Sequence, residues 1–305
     1  MKEKMCLIYG EDNKKCFYEE PVTGLLWPEI LIWVLTHSDV KTIAIDTDRS
    51  SLDKVQANCK ILIDEHSTQK LDEELKDVEL LFVTLCMGNN IFTEALSIIT
   101  EISKKQDTLV IGLMTIPSEK YAENQTPAME DLIEISKKFN TVAFVDLDRV
   151  HIVFPALPID QISSFSGKHI ADMIGGIVDC LNPEILWFIK LDFNELKNIM
   201  KNGEIGTLVF NEVEGEREKD RRSQRLAHDL MQRSFMDIDA NTSKNCLLIF
   251  RQGVDSCGPE MEGAVTDATY YFDINANILW GSMETKDYYG KLRCMGIISG
   301  FNLHG

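Results

Sequence analysis

Two carboxylates three residues apart form the most chemically pointed pattern in this chain. In ILWFIKLDFNELKNIM (185–200) an apolar stretch breaks into Asp192 and Glu195. At a helix start that spacing puts both side chains on one side, one turn apart. The pair can simply close the helix end, with Asp192 as the cap and Glu195 completing a reciprocal cap. Composition alone favours the capping role. A second acidic pair, Asp46 and Asp48 in DTDRSSL (46–52), follows an apolar run. It could reach a ribose or a metal, or serve as turn and cap residues.

The corner CMGNNIFTEAL (86–96) is the third candidate. Gly88, Asn89 and Asn90 allow a tight turn, and Thr93 or Asn90 can cap the helix that follows. Backbone N–H groups at such a corner can point at an anion. Glu94 already answers the positive end of that helix and would repel a polyphosphate facing it. After the first apolar run, GEDNKKCFYEEP (10–21) offers Lys14 and Lys15 but a single glycine. Neither GxxxxGK[ST] nor GxGxxG occurs, so no glycine-rich phosphate cradle is written. The histidines are dispersed and suggest no metal site. The eight cysteines form no CxxC and read as free, mostly buried thiols of a reducing compartment.

Strand patterns at 5–9, 41–45, 59–64, 78–85, 108–115 and 141–147 must position these groups, with helical patterns at 28–36, 91–105 and 127–138. That alternation predicts a doubly wound, mostly parallel sheet, whose ligands bind at the carboxyl ends of the strands. In SGKHIADMIGGIVDCL (166–181) the apolar residues recur at helical spacing, and Gly175 and Gly176 permit close packing. It reads as a central helix buried between two lobes, with His169 as polar surface or inter-lobe filler. Beyond it, helices at 195–203, 216–233 and 258–268 mix with strands at 207–215, 245–253, 276–285 and 291–301. These predict a smaller α+β lobe with its own small sheet. The expected division is a Rossmann-type domain over 1–165, a connecting helix and linker over 166–189, and an α+β domain over 190–305.

The formal charge of −18 disfavours nucleic acid and anionic membrane as partners. The mixed-sign run EREKDRRSQR (216–225) reads as a solvated helix face. The strongest apolar run, Leu25 to Leu35, contains Pro28 and Glu29 and is too short to cross a bilayer. The N-terminus has no secretory core. The expected location is cytoplasmic.

The order of these pieces resembles the FtsZ branch of the tubulin superfamily over nearly the whole chain. LDFNELKNIMKNGEIGTLVFNEVEGE (191–216) looks like the family's synergy-loop segment, and ANILWGSMETKDYYGKLRCMGIISGF (276–301) like its final strands. TIAIDTDRSSL (42–52), LLFVTLCMG (80–88) and TVAFVDLDRV (141–150) resemble three of its N-terminal segments. The resemblance implies an FtsZ/tubulin-like fold: a GTPase-like, doubly wound parallel sheet joined by a central helix to a smaller α+β domain. It implies nucleotide contacts from Gly88, Asn89, Asn90, Thr93 and Asp46. It also implies that Asp192 and Glu195 act on a neighbouring subunit's nucleotide, with Lys190, Asp192 and Glu195 at the interface.

Several positions depart from the family pattern. Phe92 and Glu94 stand where the family's phosphate-wrapping corner has glycines. Leu147, Asp46 and Lys190 each replace an asparagine, and Glu195 replaces an aspartate. The expectation is therefore an FtsZ-like assembly or regulatory protein with lost or weak GTP binding and no resident cofactor. It would act by self-association or by docking on an FtsZ-type partner, and not by inserting in a membrane. The chain stops almost at its last strand, so no tail is expected to recruit membrane-anchoring division proteins. The alternative is a divergent, GTP-hydrolysing cytoskeletal protein whose site is completed across a subunit interface.

Overall fold

The computed structural model describes residues 5–10, 40–54, 57–64, 67–87, 91–119, 127–182, 189–201, 204–216 and 221–303. Six parallel strands come first: β1 (Met5–Gly10), β2 (Val40–Asp46), β3 (Cys59–Leu62), β4 (Leu80–Cys86), β5 (Leu109–Ile116) and β6 (Thr141–Asp146). They lie in the order β3-β2-β1-β4-β5-β6. Every residue of β4 and β5 is buried, which is why these segments are unbroken apolar runs and not alternating ones. Helices α1 (Arg49–Lys54), α2 (Ser67–Glu74), α3 (Ile91–Gln106), α4 (Met129–Ser136) and α5 (Leu147–Val153) connect or follow these strands.

The central helix α6 (Ile162–Leu181) lies along one face of the sheet. Its Ile170, Ile174 and Ile177 share a core with Phe82, Leu113 and Val145 from the N-terminal strands and with Leu247, Ile249 and Ile297 from the C-terminal ones. It begins four residues earlier than its apolar periodicity predicts, because Ile162, Ser163 and Ser166 are buried too. The next elements are α7 (Phe193–Ile199), β7 (Glu204–Glu214), α8 (Arg222–Gln232), β8 (Ile238–Asp239), β9 (Asn245–Gln252), α9 (Gly258–Thr269), β10 (Asn277–Glu284), β11 (Lys291–Ser299) and β12 (Asn302–Leu303). Helices α8 and α9 cover the other face of the C-terminal strands, with Leu226, Leu230, Met261 and Ala264 against Leu248, Phe250 and Cys294.

The C-terminal strands do not form a separate small sheet. β7 pairs in parallel with β6, Thr141–Phe144 against Glu204–Thr207, and the order continues β7-β11-β9-β10. One ten-stranded sheet therefore runs through the molecule, with β11 antiparallel to both its neighbours. The small second sheet is the β8–β12 pair. The helix expected at 28–36 lies outside the described residues, as do the last two positions of the one expected over 195–203. The helix expected over 216–233 is described from Arg222.

Of the two places expected for His169, it takes the buried one: it is 3% exposed, its Nδ1 2.7 Å from the Phe165 carbonyl, and its ring packs on Phe165 and Phe210. One further expectation is corrected. Cys86, the last residue of β4, is not a free thiol: it is disulfide-bonded. Cys59, Cys180, Cys246, Cys257 and Cys294 are free, as expected. Burial pushes the Cys246 thiol up, and that of Cys180 too, with Asp179 adding to the latter.

Candidate functional site

The candidate residues fall at opposite ends of the sheet. At the carboxyl end of the parallel strands lie Asp46 and the corner after β4. Asp46 is buried, and its Oδ1 accepts the Asp48 N–H at 2.8 Å. Asp48 in turn accepts the Ser50 N–H and hydroxyl at 2.9 and 2.6 Å. This pair thus builds the turn into α1, as Asx chemistry allows. Gly88, Asn89 and Asn90 lie outside the described residues, as do Lys14 and Lys15. Thr93 lies in the first turn of α3, and its side chain is outside the described set, like those of Phe92 and Glu94.

Acidic groups that the sequence reading passed over join this end. Asp146 closes β6 and caps α5, accepting the Asp148 and Arg149 N–H groups. Burial holds its carboxyl above the usual carboxylate range, and Asp148 and Glu119 push the same way. Asp148 accepts the Ser118 hydroxyl at 2.5 Å and the Glu119 N–H at 2.9 Å. Arg149 faces Asp237 at 3.5 Å. Leu147, where the family has an asparagine, is buried in the core beside α6. It offers no polar atom to a ligand. The Asp-x-Asp spacing of VDLD (145–148) was the available signal for this corner.

The second group lies at the amino end of the same strands. Asp192 caps α7, its Oδ1 accepting the Asn194 and Glu195 N–H groups at 2.8 and 3.2 Å. No bond from Glu195 back to the cap is found among the described residues. Asp192, Glu195 and Lys190 are all exposed. Two contacts fix α7 beneath the sheet. Lys197 donates to the carbonyl and carboxylate of Asp107, in the turn before β5, at 2.7 and 2.6 Å. The Thr141 hydroxyl, at the start of β6, donates to the Met200 carbonyl at 3.0 Å. Upstream, Ile189 forms an antiparallel bridge with Ser282 of β10.

β5 spans eight residues between these two ends, so they are separated by roughly 25 Å. The structure does not bring Asp192 and Glu195 together with Asp46. Within one molecule they cannot touch the same ligand. Among the described residues no cluster of His, Cys, Asp or Glu could hold a metal ion, and no helix is long and apolar enough to cross a membrane.

No family model matches the chain. It is similar to the cell division protein FtsZ 2 of Haloferax volcanii, 27% identical over 279 residues, which cover 85% of this chain and 68% of that one. An FtsZ dimer of M. jannaschii, in the empty state, superposes with a TM-score of 0.79 at 20% identity, covering 98% of this chain and 88% of that one. The chain is a divergent relative of these FtsZ proteins in sequence, and it has the α/β fold of FtsZ and CetZ. CetZ2 of Haloferax volcanii, solved as a GTPγS-bound protofilament, shares the fold with a TM-score of 0.71 at 13% identity, over 98% of this chain and 93% of that one. In this FtsZ-like chain the loop at Asp192 and the carboxyl end of the sheet lie at opposite ends, and the latter is crowded with carboxylates.

Proposed function

We propose that this FtsZ-like cytoskeletal protein works by end-to-end association, with GTP binding that is weak or lost. The observation that carries this reading is the roughly 25 Å between the exposed Asp192–Glu195 loop and the carboxyl end of the sheet. A loop so placed can act on that kind of site only in another molecule. The other molecule is a second copy or an FtsZ-type partner. Asp46, Asp146 and Asp148 supply negative charge where a nucleotide phosphate would approach, which supports weak binding. The net charge of −18 disfavours nucleic acid and anionic membrane surfaces as partners.

The test is the nucleotide content of protein purified without added ligand. Less than a tenth of a molar equivalent of GDP or GTP, as an order of magnitude, is expected at working concentrations of a weak binder. Stoichiometric nucleotide would favour the alternative, a divergent GTPase. A pull-down with an FtsZ-type partner, repeated with Lys190→Glu, checks the interface. Undiminished capture by that variant would remove Lys190 from it.

A further inference from the structure

Arg251 of β9 and Arg293 of β11 are direct cross-strand partners in the antiparallel ladder. Both lie on the sheet face that carries Leu247, Ile249, Met295 and Ile297 toward α6. Like charges opposed in this way are about 5 Å apart at Cβ and destabilise a sheet unless they are answered. The answer comes from the central helix. Arg293 donates to Asp172 at 2.8 Å, and Arg251 lies 3.5 Å from Asp179. Arg293 is held further by the Tyr288 hydroxyl at 2.9 Å, by the Phe210 ring at 4.8 Å and by Glu212 at 3.8 Å. The four side chains are between 7% and 24% exposed.

Asp172 and Asp179 are seven residues apart, two turns along one face of α6, or about 10 Å. Between them that face carries Gly175 and Gly176, and His169 lies one turn before Asp172. Gly176 comes so close to β9 that a Cβ there would lie 3.0 Å from Ile249 Cγ2. That close fit sets one point of axial contact, and the two ion pairs add a fixed point on either side of it. A shift of one turn, about 5.4 Å, would break both ion pairs together. We propose that these two pairs form a register pin between α6 and the C-terminal strands. The pin fixes how far α6 extends toward the bridge at Ile189, and so where Lys190, Asp192 and Glu195 are presented. This assignment does not depend on nucleotide binding.

Hydrogen exchange of the intact chain tests it. In the near-isosteric double variant Asp172→Asn, Asp179→Asn, amides of α6 and of 189–199 should exchange about tenfold faster while those of β4 and β5 keep their rates. The charge-preserving variant Asp172→Glu, Asp179→Glu should stay close to the original. Unchanged exchange in the Asn variant overturns the pin. Equal acceleration in β4 and β5 reduces the pairs to general stability and also overturns it. Acceleration by the Glu variant as large as by the Asn variant shows that charge is not what holds the register.

Discussion

Asp192 spends one oxygen on the start of α7 while its negative charge remains exposed. The two roles can be separated. Asn caps as well as Asp, so Asp192→Asn should leave thermal stability close to the original, whereas Asp192→Ala should lose about 1 kcal/mol. If the charge serves a neighbouring molecule, both variants lose assembly, read by light scattering, to the same degree. Normal assembly of the Asn variant would sink that role. His169 makes a second prediction. Burial lowers its pKa to about 4 from the ordinary 6.5, against the Phe165 carbonyl, which raises it. Between those values the unfolded chain binds the proton and the folded chain does not. Stability therefore falls as pH falls through that window, by about 3 kcal/mol at its limit. In His169→Gln, denaturant melts at pH 6.5 and 4.5 should differ by less than in the original. Arg222 is the third case. It is fully buried, with its guanidinium bonded to Glu260, Asp255, Ser256 and the Gly215 carbonyl. Arg222→Ala leaves Glu260 buried and unpaired, and should cost about 3–5 kcal/mol in urea unfolding.

The central helix meets β10 where a Cβ on Gly281 would lie 2.9 Å from Cys180 Sγ. Gly281→Val should thus push α6 off the sheet and lower stability by about 1–3 kcal/mol, seen as an earlier thermal midpoint. An unchanged midpoint would mean that α6 yields there at no cost. Long elements such as β4, β5 and α6 were legible because their apolar residues recur over enough turns or pleats to set a period. The short helices α1, α2 and α5 were not, since so few turns carry little periodic signal, whereas α7, equally short, announces itself by the cap at Asp192. The β6–β7 seam escaped for another reason. Its partners, such as Phe144 and Thr207, are far apart in sequence, and a central strand looks the same whichever neighbour it has. Likewise nothing near His169 announces Phe210 and Phe235, which bury it. The acidic loop at Asp192 was readable because its helix cap is local. The charge around Asp146 depends on burial, which spacing does not record.

At the scale of the whole molecule, the proposed association joins two unlike ends, and heterologous contacts of that kind run on into open chains unless something stops them. A subunit with one dead end is such a stop. Asp192→Lys combined with Glu195→Lys should shorten polymers of the unmodified chain at well below equal ratio, as measured by filament length in electron micrographs. No shortening would count against polar growth. The shared sheet has a separate consequence for how the chain is made. β6 takes its place beside β5 early, but its other edge is completed by β7, which is synthesised only after the whole of α6. At ordinary translation speeds that edge is bare for roughly ten seconds. It presents Thr141 to Val145, a stretch without a single charge to discourage pairing with another chain. The nascent protein thus carries a sticky seam on the ribosome, and chaperone capture should be greatest in nascent chains arrested between Leu181 and Glu204.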